Sequence, residues 1–261
     1  MLNLYWLEQG KSDVPESNDW LGARDLDRMN SMRFEKRRAD WRLGRWTAKL
    51  AVAAYLNLPS NSLSLSAIEI QPSPSGAPDV FLADEQPEVT VSISHRGGIA
   101  ICAVAASGAE MGCDLEIVEP RIDSFVADYF TPDEQDLVSR AGAANRFTLL
   151  ALLWSAKESA LKAMRVGLRV DTRTLAVTPS VCVSALGSDC RRKVEREDNL
   201  ALALQRSGAS IAWHPLQVHI ADNRFFHGWW QQANGIVRTM VANPVPFQPI
   251  SMVEEGHIFQ L

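Results

Sequence analysis

Residues Leu152–Lys162 read LLWSAKESALK. The apolar residues have the spacing of a helix packed on a core. Yet Lys157, Glu158 and Lys162 stand among them, and Glu158 and Lys162, four apart, share one face. A second stretch echoes the first. Residues Arg45–Leu56 read RWTAKLAVAAYL, so a Trp-(Ser/Thr)-Ala-Lys run occurs at Trp46 and again at Trp154. The periodicity predicts long helices over Arg33–Leu56 and Asn145–Met164. Each is followed by strands and a glycine-turn hairpin: Val89–Ser94 (VTVSIS) and Ile99–Ala106 (IAICAVAA) around Gly97-Gly98, then Phe225–Val241 around Asn234-Gly235.

A duplicated α+β unit explains the echo, with chance identity over so few residues as the other reading. The expected fold is α+β, with two similar pseudo-symmetric halves, each a long helix packed on a small antiparallel sheet. The halves are placed at 1–108 and 109–242, with a tail over 243–261. A cleft between two such halves is a favoured place for ligands. Further elements are a strand over Met111–Val118 and a short helix over Asp123–Tyr129. Thr131 is placed as the N-cap of a helix that has Pro132 first and reaches about Arg140. Strands are expected over Leu175–Val183 and Ile211–Ile220. Residues Ser60–Ala83 read as loops and short strands, and the tail as irregular chain on the surface.

The bulk numbers exclude several classes. At 261 residues, with 46% hydrophobic and 22% charged residues, the chain has an ordinary globular composition and can bury a sizeable core. A net charge of −5 argues against a general nucleic-acid binder, so any anion site must be a local cluster. No run approaches the roughly 20 apolar residues that span a bilayer. The start, MLNLYWLEQGK, lacks the basic-then-apolar pattern of a signal peptide. The cysteines at 102, 113, 182 and 190 show no CxxC pairing, which argues against zinc and disulfides. A cytoplasmic monomer with no membrane and no nucleic-acid partner is expected.

Four constellations can carry chemistry. In Asp114-Leu115-Glu116, strand alternation sends both carboxylates to one face. They are either two solvated acids on an edge strand or a pair that needs a cation between them. Glu158 and Lys162 form either a surface ion pair or, beside Trp154, part of a half-buried site. With Asp114 and Glu116, Glu158 could hold Mg²⁺, which takes oxygen ligands and keeps places for water and phosphate. Arg38, Arg42, Arg45 and Lys49 follow i, i+4, i+7, i+11 along the first long helix. This stripe is either a solvated face or a phosphate site. Ser94 and His95 end a strand at a hairpin, where hydroxyl, imidazole and backbone N–H can donate to phosphate; a structural histidine is the other reading.

Taken in order, SISH, GCDLE, FTPDE and WSAKESALK resemble the Sfp-type 4′-phosphopantetheinyl transferases. That family's G-x-D-x-E, F-x-x-x-E and W-x-x-K-E-x-x-x-K correspond to Gly112–Glu116, Phe130–Glu134 and Trp154–Lys162. The resemblance covers about Arg33 to Lys162, and the family's two-half fold suits the echo. It implies that coenzyme A gives its phosphopantetheine arm to a serine of an apo acyl or peptidyl carrier protein, releasing 3′,5′-ADP. Asp114, Glu116 and Glu158 would bind Mg²⁺. Lys162 would lie by the diphosphate and assist the leaving group, and Ser94 would touch the diphosphate. Arg45 would grip the 3′-phosphate with His95 beside it, and Lys49 or Arg38 would add charge. The base is Glu158 or a water beside the metal, with Glu134 second. One departure is Gly76-Ala77-Pro78, where many members carry Lys or Arg in the middle. Arg121–Phe130 (RIDSFVADYF) would face the carrier or cap the core. Two rivals remain: another Mg²⁺-dependent phosphoryl-transfer enzyme, and a non-catalytic module that binds coenzyme A or a carrier protein.

Overall fold

A computed structural model describes residues 1–180, 212–254 and 257–258. Cys182, Cys190 and the inner ends of the strands expected around 183 and 211 lie outside the described residues. The chain is a mixed α+β protein. Its elements are β1 (Tyr5–Gly10), α1 (Ala23–Asn30), α2 (Glu35–Tyr55), α3 (Ser62–Ala67), β2 (Ile68–Pro72), β3 (Pro78–Leu82), β4 (Val89–Arg96) and β5 (Ile99–Ala106). Then follow β6 (Glu110–Ile117), α4 (Asp123–Tyr129), α5 (Pro132–Arg140), α6 (Ala143–Ala163), β7 (Leu175–Pro179), β8 (His214–Ile220), β9 (Phe225–Ala233) and β10 (Ile236–Asn243). Three two-residue strands complete the chain: β11 (Ile250–Ser251), β12 (Val253–Glu254) and β13 (His257–Ile258).

The helices α2 and α6 match the expected segments to within two residues at each end. Asn57, at φ +55°, takes the chain out of α2, and Arg165, at φ +57°, does so after α6. The shorter α5 is closed at its start by a capping box. The Thr131 hydroxyl accepts from Glu134 N at 3.2 Å, and the Glu134 carboxylate accepts from Thr131 N at 2.8 Å. Hairpins form where glycine turns predict them: Gly97 and Gly98 join β4 to β5, and Asn234-Gly235 joins β9 to β10, all at positive φ.

One sheet has the order β11-β1-β5-β4 and the other β6-β10-β9-β8-β7, while β2 and β3 pair separately. Strand alternation divides the core. Leu7, Cys102 and Val104 face α2 in the first sheet, while Leu4, Ile101, Ala103 and Ala105 face the second sheet's Met111, Cys113, Leu115 and Met240. The helix α6 covers the far side of the second sheet with Leu149, Leu153, Ala156 and Ala160. It is apolar nearly all round, as a core helix should be. The sheets also meet along β4 and β6, where side chains replace a ladder: Ser92 Oγ accepts from Cys113 N at 2.9 Å.

The tail differs from its expected irregular, surface course. Strand β11 adds to β1 in parallel, and Met252 is fully buried in the core under α2. No helix among the described residues is long and apolar enough to cross a membrane.

Candidate functional site

The acid-bearing strand β6 is pressed against α6. A Cβ at Gly112 would stand 1.9 Å from Ser159 O and 2.8 Å from Ala163 N, so only glycine lets the helix backbone come this close. That approach brings Lys162 to the strand. Its Nζ lies 2.7 Å from Asp114 Oδ1 and donates to Cys113 O at 3.0 Å. Ser94, from β4, donates its hydroxyl to the same Asp114 oxygen at 2.7 Å. The other oxygen, Oδ2, is buried and has no hydrogen-bond partner. Burial pulls the Lys162 ammonium down, but Asp114 and its other neighbours outweigh that and leave its pKa raised.

Glu158 is half-buried on the same face. Burial first, then Asp114, push its carboxyl up, and Lys162 partly opposes them. Glu116 is 6% exposed. Burial and Asp114 push it up to about 7 against the pull of Arg96 and Arg121, each 3.0 Å from its Oε2. Thus Glu116 and Glu158 each feel the charge of Asp114, but the three acids do not converge. Among the described residues no group of three or more His, Cys, Asp or Glu is gathered tightly enough to hold a metal. The physical reason is that Glu116 turns to two arginines and Asp114 Oδ1 to Lys162 and Ser94. The donor set nevertheless fits Mg²⁺. It offers carboxylate oxygens only, with an orphaned buried oxygen on Asp114, and this ion commonly takes just one or two carboxylates beside phosphate and water.

A cavity of about 520 Å³ opens between α1, α2 and β4. Arg24, Asp25 and Arg28 from α1, Trp41 and Arg45 from α2, and His95 from β4 line it, with Ile70, Pro72, Pro78 and Ile93 as apolar wall. A neighbouring cavity of about 570 Å³ shares Arg28, Trp41 and His95 and adds Met32, Phe34, Lys36, Arg37 and Asp40. Gly44 lets β4 approach α2, since a Cβ there would be 3.2 Å from His95 Cδ2. Strand alternation makes β4 the link between the two regions: Ser94 bonds Asp114, while His95 lines both cavities. Burial lowers the His95 pKa, Asp40 counters that, and the charge of Lys162 lowers it further.

The predicted basic stripe splits up. Arg45 reaches the cavity, lying 3.4 Å from Asp25 and 5.0 Å over the Trp41 ring. Arg42 instead donates to the carbonyls of Pro15, Glu16 and Ser17. Arg38 donates to Met32 O at 3.5 Å and lines neither cavity. Lys49 is fully buried, 2.6 Å from Asp25 Oδ2 and bonded to the carbonyls of Trp20 and Leu65. It stands in the part of α2 that sinks into the core, and it lines neither cavity. Glu134 is likewise enclosed: it holds Lys157 at 2.8 Å and accepts from Thr131 N and Val177 N. That geometry leaves it no access to a substrate proton.

Arg24, Arg28 and Arg96 were not anticipated. Arg24 and Arg28 stand at i, i+4, the one signal for a shared face on a short helix. Arg24 is held by Glu69 at 2.6 Å. Gly76 and Pro78 line the cavity, so Ala77 leaves that wall without its own cation. In the Arg121–Phe130 segment Val126 and Phe130 are buried, and Phe125 and Tyr129 pack edge-on against Trp154. Ile122, at 74%, and part of Tyr129 remain exposed. Arg121 is spent on Glu116 and lies over the Phe125 ring.

No curated protein matches the chain. A family model does match, over the stretch that carries β6, α4, α5, α6 and β7. Residues 110–207, with the Asp114–Glu116 strand and the Lys157–Lys162 helix face, match the model of the 4′-phosphopantetheinyl transferase superfamily (ACPS), so this part of the chain is similar to that family.

Proposed function

We propose that the protein transfers the 4′-phosphopantetheine arm of coenzyme A to a serine hydroxyl of an apo acyl or peptidyl carrier protein and releases 3′,5′-ADP. The observation that carries this reading is the placement of two charge systems on either side of β4. Cations of the first-half cavity suit the nucleotide end of coenzyme A, and the Asp114–Glu158–Lys162 face suits its diphosphate. The superfamily match at 110–207 supports the same reaction class.

In this scheme the serine oxygen bonds the pantetheine-bearing phosphorus, and the bond from that phosphorus to the bridging oxygen of 3′,5′-ADP breaks. Glu158, half-buried on the face that carries Lys162, or a water held beside it, accepts the serine proton. Lys162, held between Asp114 and Cys113 O, offsets charge on the leaving phosphate. Asp114 and Glu158 would hold Mg²⁺, joined by Glu116 once it turns from Arg96 and Arg121; when bound the ion supplies charge neutralisation at the diphosphate. Ser94 orients Asp114, and His95, Arg28 and Arg45 receive the 3′-phosphate end.

The carrier would dock on the exposed part of Arg121–Phe130, beside the acids. The two-half reading, with halves at 1–108 and 109–242, belongs to the same proposal. It is supported by the matching strand orders β1-β5-β4 and β6-β10-β9, each with its long helix on one face. A monomer is proposed as the working unit. Incubation with coenzyme A, Mg²⁺ and a panel of apo carrier proteins tests the function by mass spectrometry. Gain of one phosphopantetheine arm on a carrier is expected. No gain on any carrier, with tight coenzyme A binding, would overturn the reading in favour of a binding module.

A further inference from the structure

Both halves bury a lysine of the long helix against a carboxylate from the helix before it, but the two carboxylates are used differently. Glu134 Oε2 faces Lys157 Nζ and Thr131 N, both at 2.8 Å, and Oε1 accepts from Val177 N at 2.8 Å. All its partners belong to the core, and it lines no cavity described for the chain. Asp25 is as deeply buried, at 5% exposed, yet it lines the 520 Å³ cavity. Its Oδ2 is 2.6 Å from Lys49 Nζ, and its Oδ1 is 3.4 Å from Arg45 Nε, a charge contact rather than a hydrogen bond.

A carboxylate on the wall of a cavity meant for phosphate is misplaced as a ligand contact. It makes sense as a partner for the wall's own cations. Arg45 has Asp25 at its Nε edge and the Trp41 ring 5.0 Å from its carbon. Among the described residues its two terminal nitrogens have no protein partner. We propose that Asp25 is a positioning residue: it fixes the Nε edge of Arg45 so that the terminal nitrogens are preset for phosphate oxygens at the nucleotide end of the ligand. Presetting matters because a guanidinium free to rotate loses part of its binding free energy to ordering. This inference rests on the functional reading above.

The test measures KM for coenzyme A, kcat, affinity for 3′,5′-ADP by calorimetry, and urea midpoints. The variants are Asp25→Asn, Arg45→Ala, their double variant, and Glu134→Gln. Asp25→Asn should raise KM and the 3′,5′-ADP Kd by about tenfold, with kcat within about twofold. In the Arg45→Ala background it should add nothing to KM, because its effect passes through that arginine. Glu134→Gln should lower the urea midpoint and leave KM unchanged. If Asp25→Asn folds poorly, Asp25→Glu keeps the charge that Lys49 needs but moves it by one carbon. A raised KM is again expected, and an unchanged one overturns the inference. An unaltered KM in folded Asp25→Asn, an equal rise in the Arg45→Ala background, or an equal rise in Glu134→Gln would each overturn it too. Failure of the wild-type protein to bind 3′,5′-ADP or coenzyme A would instead overturn the nucleotide-site reading, and this inference with it.

Discussion

The helices α2 and α6 share a frame and differ in what they hang on it. Each carries Trp-(Thr/Ser)-Ala-Lys, and in each the lysine is fully buried, capping two backbone carbonyls and facing a carboxylate from the preceding helix. Counted from that lysine, α2 has Arg45 four residues before, Leu50 one after and Ala54 five after. At the same offsets α6 has Leu153, Glu158 and Lys162. Leu50, Ala54 and Leu153 are buried. So the buried lysine sets both helices at one depth, and the positions around it differ in charge: Arg45 borders a cavity, and Glu158 and Lys162 lie beside Asp114. At these three offsets α2 carries one cation, and α6 carries a carboxylate and an ammonium.

The sharpest way to break this comparison is at Glu158, the offset where α2 has only leucine. Glu158→Gln keeps size and polarity but removes the charge proposed to hold metal and take a proton. Transfer should fall by on the order of 10³-fold, the several kcal/mol expected of such a group. The far-UV spectrum and urea midpoint should stay near wild type. Near-normal transfer by that variant would remove Glu158 from the chemistry.

Next come the two lysines. Removing one partner of a buried pair leaves an uncompensated charge, at a cost of about 3–5 kcal/mol. Lys157→Met should show that full loss in urea unfolding, because Glu134 has only core partners. Lys49→Met should cost less, about 2 kcal/mol, because Asp25 keeps Arg45 and borders a cavity that can admit water. Equal losses would mean that the two carboxylates are used alike, against the contrast drawn between them.

The two close-approach glycines are the third contrast. At Gly112 a Cβ meets backbone of α6 at 1.9 Å, whereas at Gly44 it meets the His95 ring at 3.2 Å and the Ile93 methyl at 3.7 Å. Backbone cannot yield without moving the helix, but side-chain ends can. Gly112→Ala should therefore cost about 3 kcal/mol and also lower transfer, since shifting α6 parts Lys162 from Asp114. Gly44→Ala should change stability by less than about 1 kcal/mol, as better helix propensity offsets the tighter contact. Urea midpoints and initial rates measured together distinguish the two.

These contrasts also show what a sequence can reveal. The long helices and both hairpins were legible, because apolar period and turn glycines are local signals. The sequence also singled out Asp114, Glu158, Lys162 and Ser94; the fold bonds Ser94 and Lys162 to Asp114 and leaves Glu158 near enough to feel the charge of Asp114 and Lys162. Lys49 misled because a line of charges on a helix says nothing about where the core closes over it. Arg38 and Arg42 misled for a related reason: each bonds a backbone carbonyl and lines neither cavity. The helix α1 was invisible because ARDLDRMN is short and mostly polar. With it went Asp25 and Arg28, whose roles exist only once α1 meets α2 over the cavity. The inward course of Met252 had no local signal either, since β11 exists only by pairing with β1.

The smallest effect expected concerns pH, and here the two ends should oppose each other. Glu116 is raised from an ordinary carboxylate to about 7, by burial and by Asp114, so the folded chain keeps its proton where the unfolded chain has lost it. The stabilising contribution is whole below the ordinary carboxylate pKa and is lost as pH rises through about 7. His95 is shifted the other way, downward by burial, so its contribution is lost as pH falls through its folded pKa. In EDTA, wild-type stability should therefore drop by about 1–2 kcal/mol between pH 5 and pH 8 from Glu116, after allowing for solvent screening. Glu116→Gln should flatten that drop, while His95→Gln should leave it in place and remove only a fall on the acid side. Urea unfolding at four or five pH values measures both slopes. A Glu116→Gln curve parallel to wild type would mean that the carboxylate is already ionised in the fold. Arg96 and Arg121, not burial and Asp114, would then govern it.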